Sequence, residues 1–389
     1  MKSELSSPSA PRNDAIEKAL EAADNPVVLE SASQVSRAAK AWRRAELLAI
    51  DTEFVRERTY FARLGLVQLS DGHSVWLLDP LAEGALDPLR ELLEDRRVTK
   101  VLHSPSEDLE VLLNVVGAVP APLIDTQLAC ALAGQTLQLG YHLAAEWLLG
   151  VTVEKDQTRS NWCARPLRPA QRRYAALDVC VLPLMWESLR ERLAQQGRLP
   201  WLEEDCARLL EDASAAPEPE ALWRRIRGHG RLDGVSLAVL ARLAAWRERE
   251  AVKRDRPRGF IVPDTVLLQL ATEKPSDADA LMSLEGMHPR ARRRYGKVLA
   301  GIVARVVASG EELPTVPTPT TGQRRQLREL RAATGAAAQA LEIEPALLAS
   351  RRDMEAAVLG AGPEKVPARW RGWRWEFLEE PCARILGTT

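Results

Sequence analysis

The first part of the chain alternates short apolar runs with segments whose apolar residues recur at helical spacing. The apolar runs predict five strands, at residues 46–55, 65–69, 74–78, 98–102 and 123–124. The Asp71-Gly72 pair between the second and third runs is a strong hairpin signal, so the first three strands are expected to be antiparallel. The last two strands alternate with helices. The pattern therefore predicts an α/β domain with a mixed five-stranded sheet flanked by helices.

One helix start is marked especially well. Ser104 is a candidate N-cap, Pro105 occupies the first helical position, and Glu107 completes a capping box. The helical pattern continues to Val116 and ends before Gly117. We therefore predict a helix over residues 105–116, and helical structure for all of the chain beyond the last strand.

Proline- and serine-rich stretches divide the chain. The Ser/Pro/Ala-rich start predicts a flexible tail, Pro217–Pro219 marks a linker, and the Pro/Thr-rich stretch at 313–321 marks a second connector. The expected division is a tail at 1–26, an α/β domain at 27–215, and two all-α helical domains at 216–312 and 313–389.

Composition excludes several protein classes. Of the 389 residues, 46% are hydrophobic and 28% are charged, which is typical of a folded chain and not of a disordered one. No apolar stretch approaches the ~20 residues of a membrane-spanning helix, and the polar N-terminus lacks the apolar core of a secretory signal. The five cysteines form no Cys-x-x-Cys pair, so we expect reduced thiols in a cytoplasmic protein and no zinc site.

The net charge of −1 conceals an uneven distribution. Residues 27–217 carry 21 Lys and Arg against 27 Asp and Glu, whereas residues 218–312 carry 18 against 13. The basic clusters of the second stretch suit a nucleic-acid backbone and equally a solvated helix face. These clusters are Arg254, Arg256 and Arg258, and Arg290, Arg292, Arg293, Arg294 and Lys297. The run Trp-Arg-Gly-Trp-Arg-Trp at 370–375 suits either base stacking or helix packing.

Four acids and a tyrosine form the candidate chemical site. Asp51 and Glu53 are two residues apart in a predicted strand, so both project from one face. Asp178 follows Tyr174 by four residues in a helical segment, so these two share a helix face. Asp108 lies in the first turn of the predicted helix that begins at residue 105. Spacing alone is also compatible with ordinary surface acids.

The residue types in this set favour a metal site. Oxygen ligands without histidine or cysteine suit a hard cation such as Mg²⁺ or Mn²⁺, and clustered carboxylates repel one another unless a cation intervenes. Two such ions ~3.5–4 Å apart are an established solution for phosphoryl transfer. Tyr174, whose side chain has a reference pKa of ~10, is expected to orient the attacking water and not to deprotonate it.

Five segments of the α/β region resemble the ribonuclease D family in their order and near its spacing. They are I-D-T-E-F (50–54), L-G-L-V-Q-L (64–69), K-V-L-H-S-P-S-E-D-L-E (100–110), I-D-T-Q-L-A (124–129) and Y-A-A-L-D-V (174–179). The run S-N-W-C-A-R-P-L at 160–167 resembles the same family. Residues 251–264 (AVKRDRPRGFIVPD), with Leu-Glu-Gly at 284–286, resemble the helical HRDC module. A second, divergent HRDC module is suggested by 347–353 (LLASRRD) and 370–373 (WRGW).

The resemblance implies a ribonuclease H-like exonuclease domain of the DEDD superfamily, in the branch with tyrosine in the third motif. It implies that four acids bind two divalent ions, either Mg²⁺ or Mn²⁺: Asp51, Glu53, Asp108 and Asp178. In this scheme Asp51 bridges both ions, Glu53 and Asp178 serve the ion on the side of the attacking water, and Asp108 serves the other. Tyr174 positions the water.

The resemblance also suggests five substrate contacts: Phe54, Gln68, Lys155, Trp162 and Arg165. Phe54 would stack on the terminal nucleotide, although a sheet-core position is equally compatible with the sequence. A structural or surface role is equally compatible for the other four. Asp125 is expected to cap a turn, and His103 is expected to be structural.

The implied function is a cytoplasmic, metal-dependent 3′–5′ exoribonuclease that releases nucleoside 5′-monophosphates. Its implied partners are tRNA precursors and other structured RNA with 3′ extensions, with no membrane and no obligate protein partner. A DNA-directed exonuclease of the same superfamily stays open, because the catalytic motifs do not distinguish the two sugars. An inactive RNA-binding scaffold is the other alternative, and its expected mark is the loss of an acid or of the tyrosine.

Overall fold

The chain forms two compact units. The computed structural model describes residues 10–153, 160–215, 218–275, 286–315, 318–360 and 366–387. The first unit consists of Met1–Val55, Arg63–Ala215 and Pro319–Thr389, and the second of Arg56–Ala62 and Ala216–Thr318. Both units are therefore discontinuous in sequence.

A mixed sheet is the centre of the first unit. Its strands, within the described residues, are β1 (Val27–Leu29), β2 (Leu47–Val55), β3 (Arg63–Ser70), β4 (Val75–Leu78), β5 (Thr99–Leu102) and β6 (Leu123–Asp125). They are arranged in the order β1-β4-β3-β2-β5-β6. β2, β3 and β4 are antiparallel, as predicted, and β1, β5 and β6 add to them in parallel. The mixed sheet is thus confirmed, with the acid-bearing strand β2 in its interior.

The prediction of five strands was wrong by one. The additional strand, β1, has three residues and pairs with β4. A run this short carries too little periodicity to identify a strand.

The start of the chain also differs from expectation. Within the predicted flexible tail, residues 10–24 form helix α1 (Ala10–Asp24). Ile16, Ala19 and Ala23 are buried in the core of the first unit, and their spacing of three and four residues defines one helix face. The stretch is therefore an element of the fold.

Helices pack against the sheet and beside it. They are α2 (Ala32–Trp42), α3 (Leu86–Glu94), α4 (Ser106–Val116), α5 (Thr126–Leu132), α6 (Tyr141–Leu149), α7 (Pro169–Cys180), α8 (Leu182–Gln195) and α9 (Leu199–Ser214). α7 packs against β2, β3 and β4, and α8 packs against β2 and β5. This packing brings residues of α7 to the acid-bearing strand.

Helix α4 begins one residue later than predicted and lacks the expected capping box. Ser104 adopts a φ of 58°, in the left-handed region, and its backbone N–H donates to Asp125 at 2.9 Å. Pro105 is the N-cap, and no side chain caps the helix. Gly117 ends α4 with a φ of 77°, as the sequence indicated.

The second unit is organised around one long helix. Its described helices are α10 (Gly234–Arg254), α11 (Arg258–Ile261), α12 (Asp264–Glu273) and α13 (Pro289–Ser309), with 3₁₀ turns at Pro219–Arg225 and His229–Arg231. Asp233 caps α10 by accepting the backbone N–H of Ser236 at 2.7 Å. α10 contacts the first 3₁₀ turn, α12 and α13, and its apolar face forms the core of the unit.

The C-terminal helices pack into the first unit. They are α14 (Thr321–Ala340), α15 (Pro345–Leu348), α16 (Arg351–Leu359) and α17 (Trp375–Leu386), with a 3₁₀ turn at Ala368–Trp370. The fully buried Arg374 forms a two-pronged ion pair with Asp205 on α9, at 2.6 and 2.8 Å. Trp373 stacks on Trp201 with ring centroids 4.5 Å apart. Of the two roles expected for residues 370–375, the structure shows packing in the core of the first unit for the buried Trp370 and Trp373.

Two simple properties complete the description. No helix among the described residues is both long enough and apolar enough to cross a bilayer. All five cysteines are free thiols.

Candidate active site

Three carboxylates meet at the middle of the sheet. Asp51 and Glu53 come from β2, and Asp178 comes from α7, which packs against that strand. One oxygen atom of each side chain lies within 4.8 Å of the others. All three residues are half-buried. The structure thus brings together three of the four acids that the sequence singled out.

The crowding of these acids opposes their ionisation. Burial, reinforced by repulsion from the neighbouring acids, raises the pKa of Asp51 well above its usual range. Burial and repulsion by Asp178 and Asp108 raise the pKa of Glu53 to about 9. Burial raises the pKa of Asp178 to about 7, although a hydrogen bond from Tyr174 opposes the shift. A cation between the carboxylates would favour their ionised forms.

The fourth acid, Asp108, lies beside this group and not within it. Its Oδ1 accepts a hydrogen bond from the hydroxyl of Thr52, the residue between the two acids of β2. Burial raises the pKa of Asp108, and the Thr52 hydrogen bond opposes that rise. Its charge still raises the pKa of Asp51. Direct ligation by Asp108 therefore stays a prediction.

Tyr174 lies one helical turn before Asp178, and their side chains are hydrogen-bonded. Burial, together with the charges of Asp178, Glu53 and Asp51, raises the pKa of Tyr174 far above its usual value. The hydroxyl therefore keeps its proton at neutral pH and acts as a donor. This property suits a group that orients water and not one that deprotonates it.

Sequence reasoning missed Tyr141, which supports the helix bearing Asp178. Its hydroxyl donates to the Leu177 carbonyl at 2.8 Å. A cavity of about 70 Å³ is lined by Ile50, Asp51, His103, Tyr141, Asp178 and Leu182. Such a volume admits ordered water. The only sequence signal for Tyr141 was an aromatic residue at a helix start, which is too common to indicate a site.

His103 and Asp125 are both held by hydrogen bonds within the fold. The Nε2 of His103 donates to the Leu139 carbonyl at 2.9 Å, and burial lowers the pKa of its imidazole to about 4. The Asp125 carboxylate caps α5 by accepting the backbone N–H of Gln127 at 2.8 Å.

The predicted substrate contacts differ in accessibility. Phe54 is half-buried, and the ladder between β2 and β3 shifts register between Glu53 and Phe54. Gln68 lies opposite Asp51 in that ladder, fully buried, and neither atom of its amide is hydrogen-bonded to any residue that the structure describes. Trp162 is also buried, and its Nε1 has no hydrogen-bond partner among the described residues. Lys155 lies outside the described residues.

Arg165 links the segment at residues 160–167 to β3 through hydrogen bonds. It forms a two-pronged ion pair with Asp79, in which Nη2 lies 2.6 Å from Oδ1. It also donates to the carbonyls of Gly65 at 2.7 Å and Trp162 at 2.8 Å. A Cβ on Gly65 would lie 2.7 Å from the Trp162 carbonyl oxygen, so the close approach of the two segments requires glycine. The donors of Arg165 thus face protein acceptors.

The donor set fits a hard divalent cation. Asp51, Glu53 and Asp178 offer only carboxylate oxygens, the ligands that Mg²⁺ and Mn²⁺ prefer. The unbonded amide of Gln68 shares a sheet face with Asp51, because residues directly opposite in a ladder project to the same side. Buried amides are normally hydrogen-bonded, so this one has capacity for a further partner.

Family comparisons agree with the architecture of both units. The 3′–5′ exonuclease family model matches residues 26–194. The HRDC domain model matches residues 236–303, which include most of α10 and α13. The second, divergent HRDC-like domain at 313–389 stays a prediction.

Individual relatives extend the similarity over most of the chain. Ribonuclease D from Pseudomonas paraeruginosa is 38% identical over 366 residues, covering 91% of this chain and 96% of the relative. Ribonuclease D from Escherichia coli is 35% identical over 357 residues, covering 89% and 94%. The chain is also similar to the crystal structure of Escherichia coli RNase D, which is described as an exoribonuclease involved in structured RNA processing. The two superpose with a TM-score of 0.86 at 33% identity, over 93% of this chain and 99% of that one. The chain therefore belongs to the ribonuclease D family and is a 3′–5′ exoribonuclease.

Proposed function

We propose that this exoribonuclease trims structured RNA with 3′ extensions, tRNA precursors in particular, and releases nucleoside 5′-monophosphates with the help of two divalent ions. The observation that carries the proposal is the group of three carboxylate oxygens within 4.8 Å of one another. Their raised pKa values indicate a site whose ionised form needs a counter-charge.

The proposed ligands are the four acids. Asp51, Glu53 and Asp178 would hold one Mg²⁺ or Mn²⁺, and Asp51 with Asp108 would hold a second. When bound, the ions would supply Lewis-acid assistance to the attack of water and to the departure of the 3′ oxygen. Asp108, in the first turn of α4, would exchange its Thr52 hydrogen bond for this role.

Tyr174 and Phe54 would place the reacting groups. The protonated hydroxyl of Tyr174 donates toward the acid cluster and would hold the attacking water in line with the scissile phosphate. Phe54, half-buried at the register shift of β2, would stack on the terminal base. In this proposal Gln68, Trp162 and Arg165 support the site from within the fold.

RNA is the proposed substrate over DNA because the relatives at 35–38% identity are ribonucleases. All four acids and Tyr174 are present, so the mark expected of an inactive scaffold is missing. We place the activity in the cytoplasm because all five thiols are free, two of them with Sγ in hydrogen bonds to backbone carbonyls.

The test is incubation of the purified protein with Mg²⁺ or Mn²⁺ and a tRNA precursor extended at its 3′ end, beside a DNA of matched sequence. Mass spectrometry identifies the products. Release of nucleoside 5′-monophosphates from the RNA, abolished by Asp51→Asn and by EDTA, is expected. Oligonucleotide products, or faster degradation of the DNA, would contradict the proposal.

A further inference from the structure

A cavity of about 400 Å³ opens in the second unit between α10 and α13. Arg242, Trp246 and Arg249 line it from α10 at a spacing of four and three residues, which places them on one helix face. Arg305 and two apolar residues line it from α13. The cavity shares no lining residue with the acid cluster.

The lining of the cavity includes an apolar part and an indole held by a second ring. Ile302 and Val306 are buried and form part of the lining. The indole of Trp246 is only partly buried, and the ring of Tyr295 contacts it edge-on, with centroids 5.3 Å apart and planes at 73°. Because this contact fixes the indole, a planar ligand could stack on it at little cost in side-chain entropy.

The rim of the cavity is cationic. Arg242 pairs with Glu311 at 2.8 Å, and Arg249 pairs with Glu220 at 2.9 Å. Arg242, Arg249 and Glu220 are exposed and Glu311 is partly exposed, so each pair contributes little and can be exchanged for a ligand anion. Arg305 is exposed and forms no ion pair with any residue that the structure describes. The lining therefore holds three guanidinium groups against the single carboxylate of Glu311.

We propose that this cavity binds an unpaired nucleotide, with its base against Trp246 and its phosphate on Arg305 and Arg249. A planar base and an anionic phosphate match a fixed indole beside guanidinium groups. The volume is within the ~300–1,000 Å³ range of small-ligand pockets and is too small for a duplex. An acidic peptide would satisfy the rim and leave the indole unused.

The nucleotide could be part of an RNA strand or a free nucleoside 5′-monophosphate. The first source rests on the proposed action on RNA and would give the substrate a second point of attachment. The second would bind a product of the reaction. The recognition chemistry is the same, so the experiment must separate the sources.

Photochemical cross-linking locates the ligand directly. The full chain is irradiated in EDTA, which prevents hydrolysis, with a single-stranded RNA containing 5-iodouridine or with 5-iodouridine 5′-monophosphate. Tryptic mapping is expected to find the adduct in the peptide Leu243–Arg247, which contains Trp246. An adduct with the RNA alone assigns the site to the polymer, and an adduct with the monophosphate assigns it to the free nucleotide. No adduct on this peptide with either ligand would overturn the proposal.

Salt dependence of RNA binding tests the rim. Loss of one phosphate contact to a single strand lowers the slope of log K against log salt by ~0.7, which corresponds to about fivefold weaker binding at 0.1 M salt. We expect this change for Arg305→Gln and not for Arg227→Gln, an exposed residue of the same unit with the same change in charge. Thermal unfolding verifies that both variants fold.

The two proposals can fail separately. Equal slopes for Arg305→Gln and Arg227→Gln, together with no adduct at Trp246 from either ligand, would overturn the nucleotide site while RNA hydrolysis by the unmodified protein stood. Absence of hydrolysis in Mg²⁺ or Mn²⁺, with the adduct at Trp246 present, would instead remove the proposed function and leave the site.

Discussion

The hydroxyl of Tyr60 donates a hydrogen bond to the buried carboxylate of Glu248 on α10. Tyr60 lies in the connection between β2 and β3, and this connection belongs to the second unit. Arg258 donates to the same carboxylate at 2.7 Å, and its guanidinium lies 5.2 Å from the centroid of the Tyr60 ring. Asp255 accepts the backbone N–H of Tyr60 at 2.9 Å. The connection is therefore held by both its backbone and its side chain.

Tyr60→Phe removes only the hydroxyl from this network. We expect the free energy of unfolding to fall by ~1.5–3 kcal/mol, because the lost hydrogen bond is to a charged and buried acceptor. Urea unfolding of the single variants, the double variant Tyr60→Phe/Glu248→Gln and the parent gives the coupling energy. A loss for Tyr60→Phe below ~0.5 kcal/mol, the range of ordinary surface substitutions, would show that the hydroxyl contributes no stability.

Tyr174→Phe should slow turnover without weakening cation binding. The hydroxyl donates toward the acid cluster but is not a carboxylate ligand, so its loss misplaces the water and should lower kcat roughly 10²-fold. Tyr141→Phe is the matched control, because its hydroxyl binds a backbone carbonyl and its loss should cost ~1 kcal/mol of stability. The test is to measure kcat and Mn²⁺ affinity for both variants. Equal losses of kcat in the two variants would remove Tyr174 from the mechanism.

Cation binding should strengthen as pH rises. The pKa of Asp178 is raised to about 7 and that of Glu53 to about 9, so protons compete with the cation below these values. A carboxyl group with a raised pKa in the folded state stabilises the fold fully below its unfolded value of ~4, and that stability is lost as pH rises through the folded pKa. We therefore expect Mn²⁺ to raise Tm more at pH 8 than at pH 6, and Glu53→Gln to reduce this difference. A Tm increase that is the same at both pH values would contradict the coupling.

Arg374→Ala should strongly destabilise the first unit. The substitution leaves the buried Asp205 carboxylate without its partner, at an expected cost of ~3–5 kcal/mol. Arg374→Lys should restore little, because an ammonium cannot reproduce the two-pronged geometry. Arg384→Ala, which breaks an exposed pair with Glu380, is the control and should cost below ~0.5 kcal/mol. Similar unfolding free energies for Arg374→Ala and Arg384→Ala would show that the buried pair does not hold the C-terminal helices in place.

Local patterns in the sequence predicted much of the sheet and of the site. Apolar runs located β2 to β6, and the spacing of two residues in β2 put Asp51 and Glu53 on one face. These features depend on backbone periodicity, which a sequence displays directly. The helix end at Gly117 was predictable for the same local reason. The meeting of these two acids with Asp178 of α7 was implied by the family resemblance and not by spacing.

Features that depend on distant partners could not be predicted in this way. Asp108 accepts from Thr52, 56 positions earlier, and Arg165 pairs with Asp79, 86 positions earlier. Neither pair has a spacing that distinguishes it from the many other acids, hydroxyls and arginines of the chain. The packing of Arg374 on Asp205 is equally remote, 169 positions apart, so no local pattern in the sequence indicated it.

The discontinuity of the second unit limits how the chain can be divided. The chain enters the second unit at Arg56, leaves it after Ala62, returns at Ala216 and leaves again after Thr318. A protease that cut at both ends of residues 216–318 would release a fragment without Tyr60. The segment Arg56–Ala62 would then lack the residues against which it packs. Neither gene fusion nor truncation at those two points would transfer the unit whole, although its helices form one contiguous block of sequence.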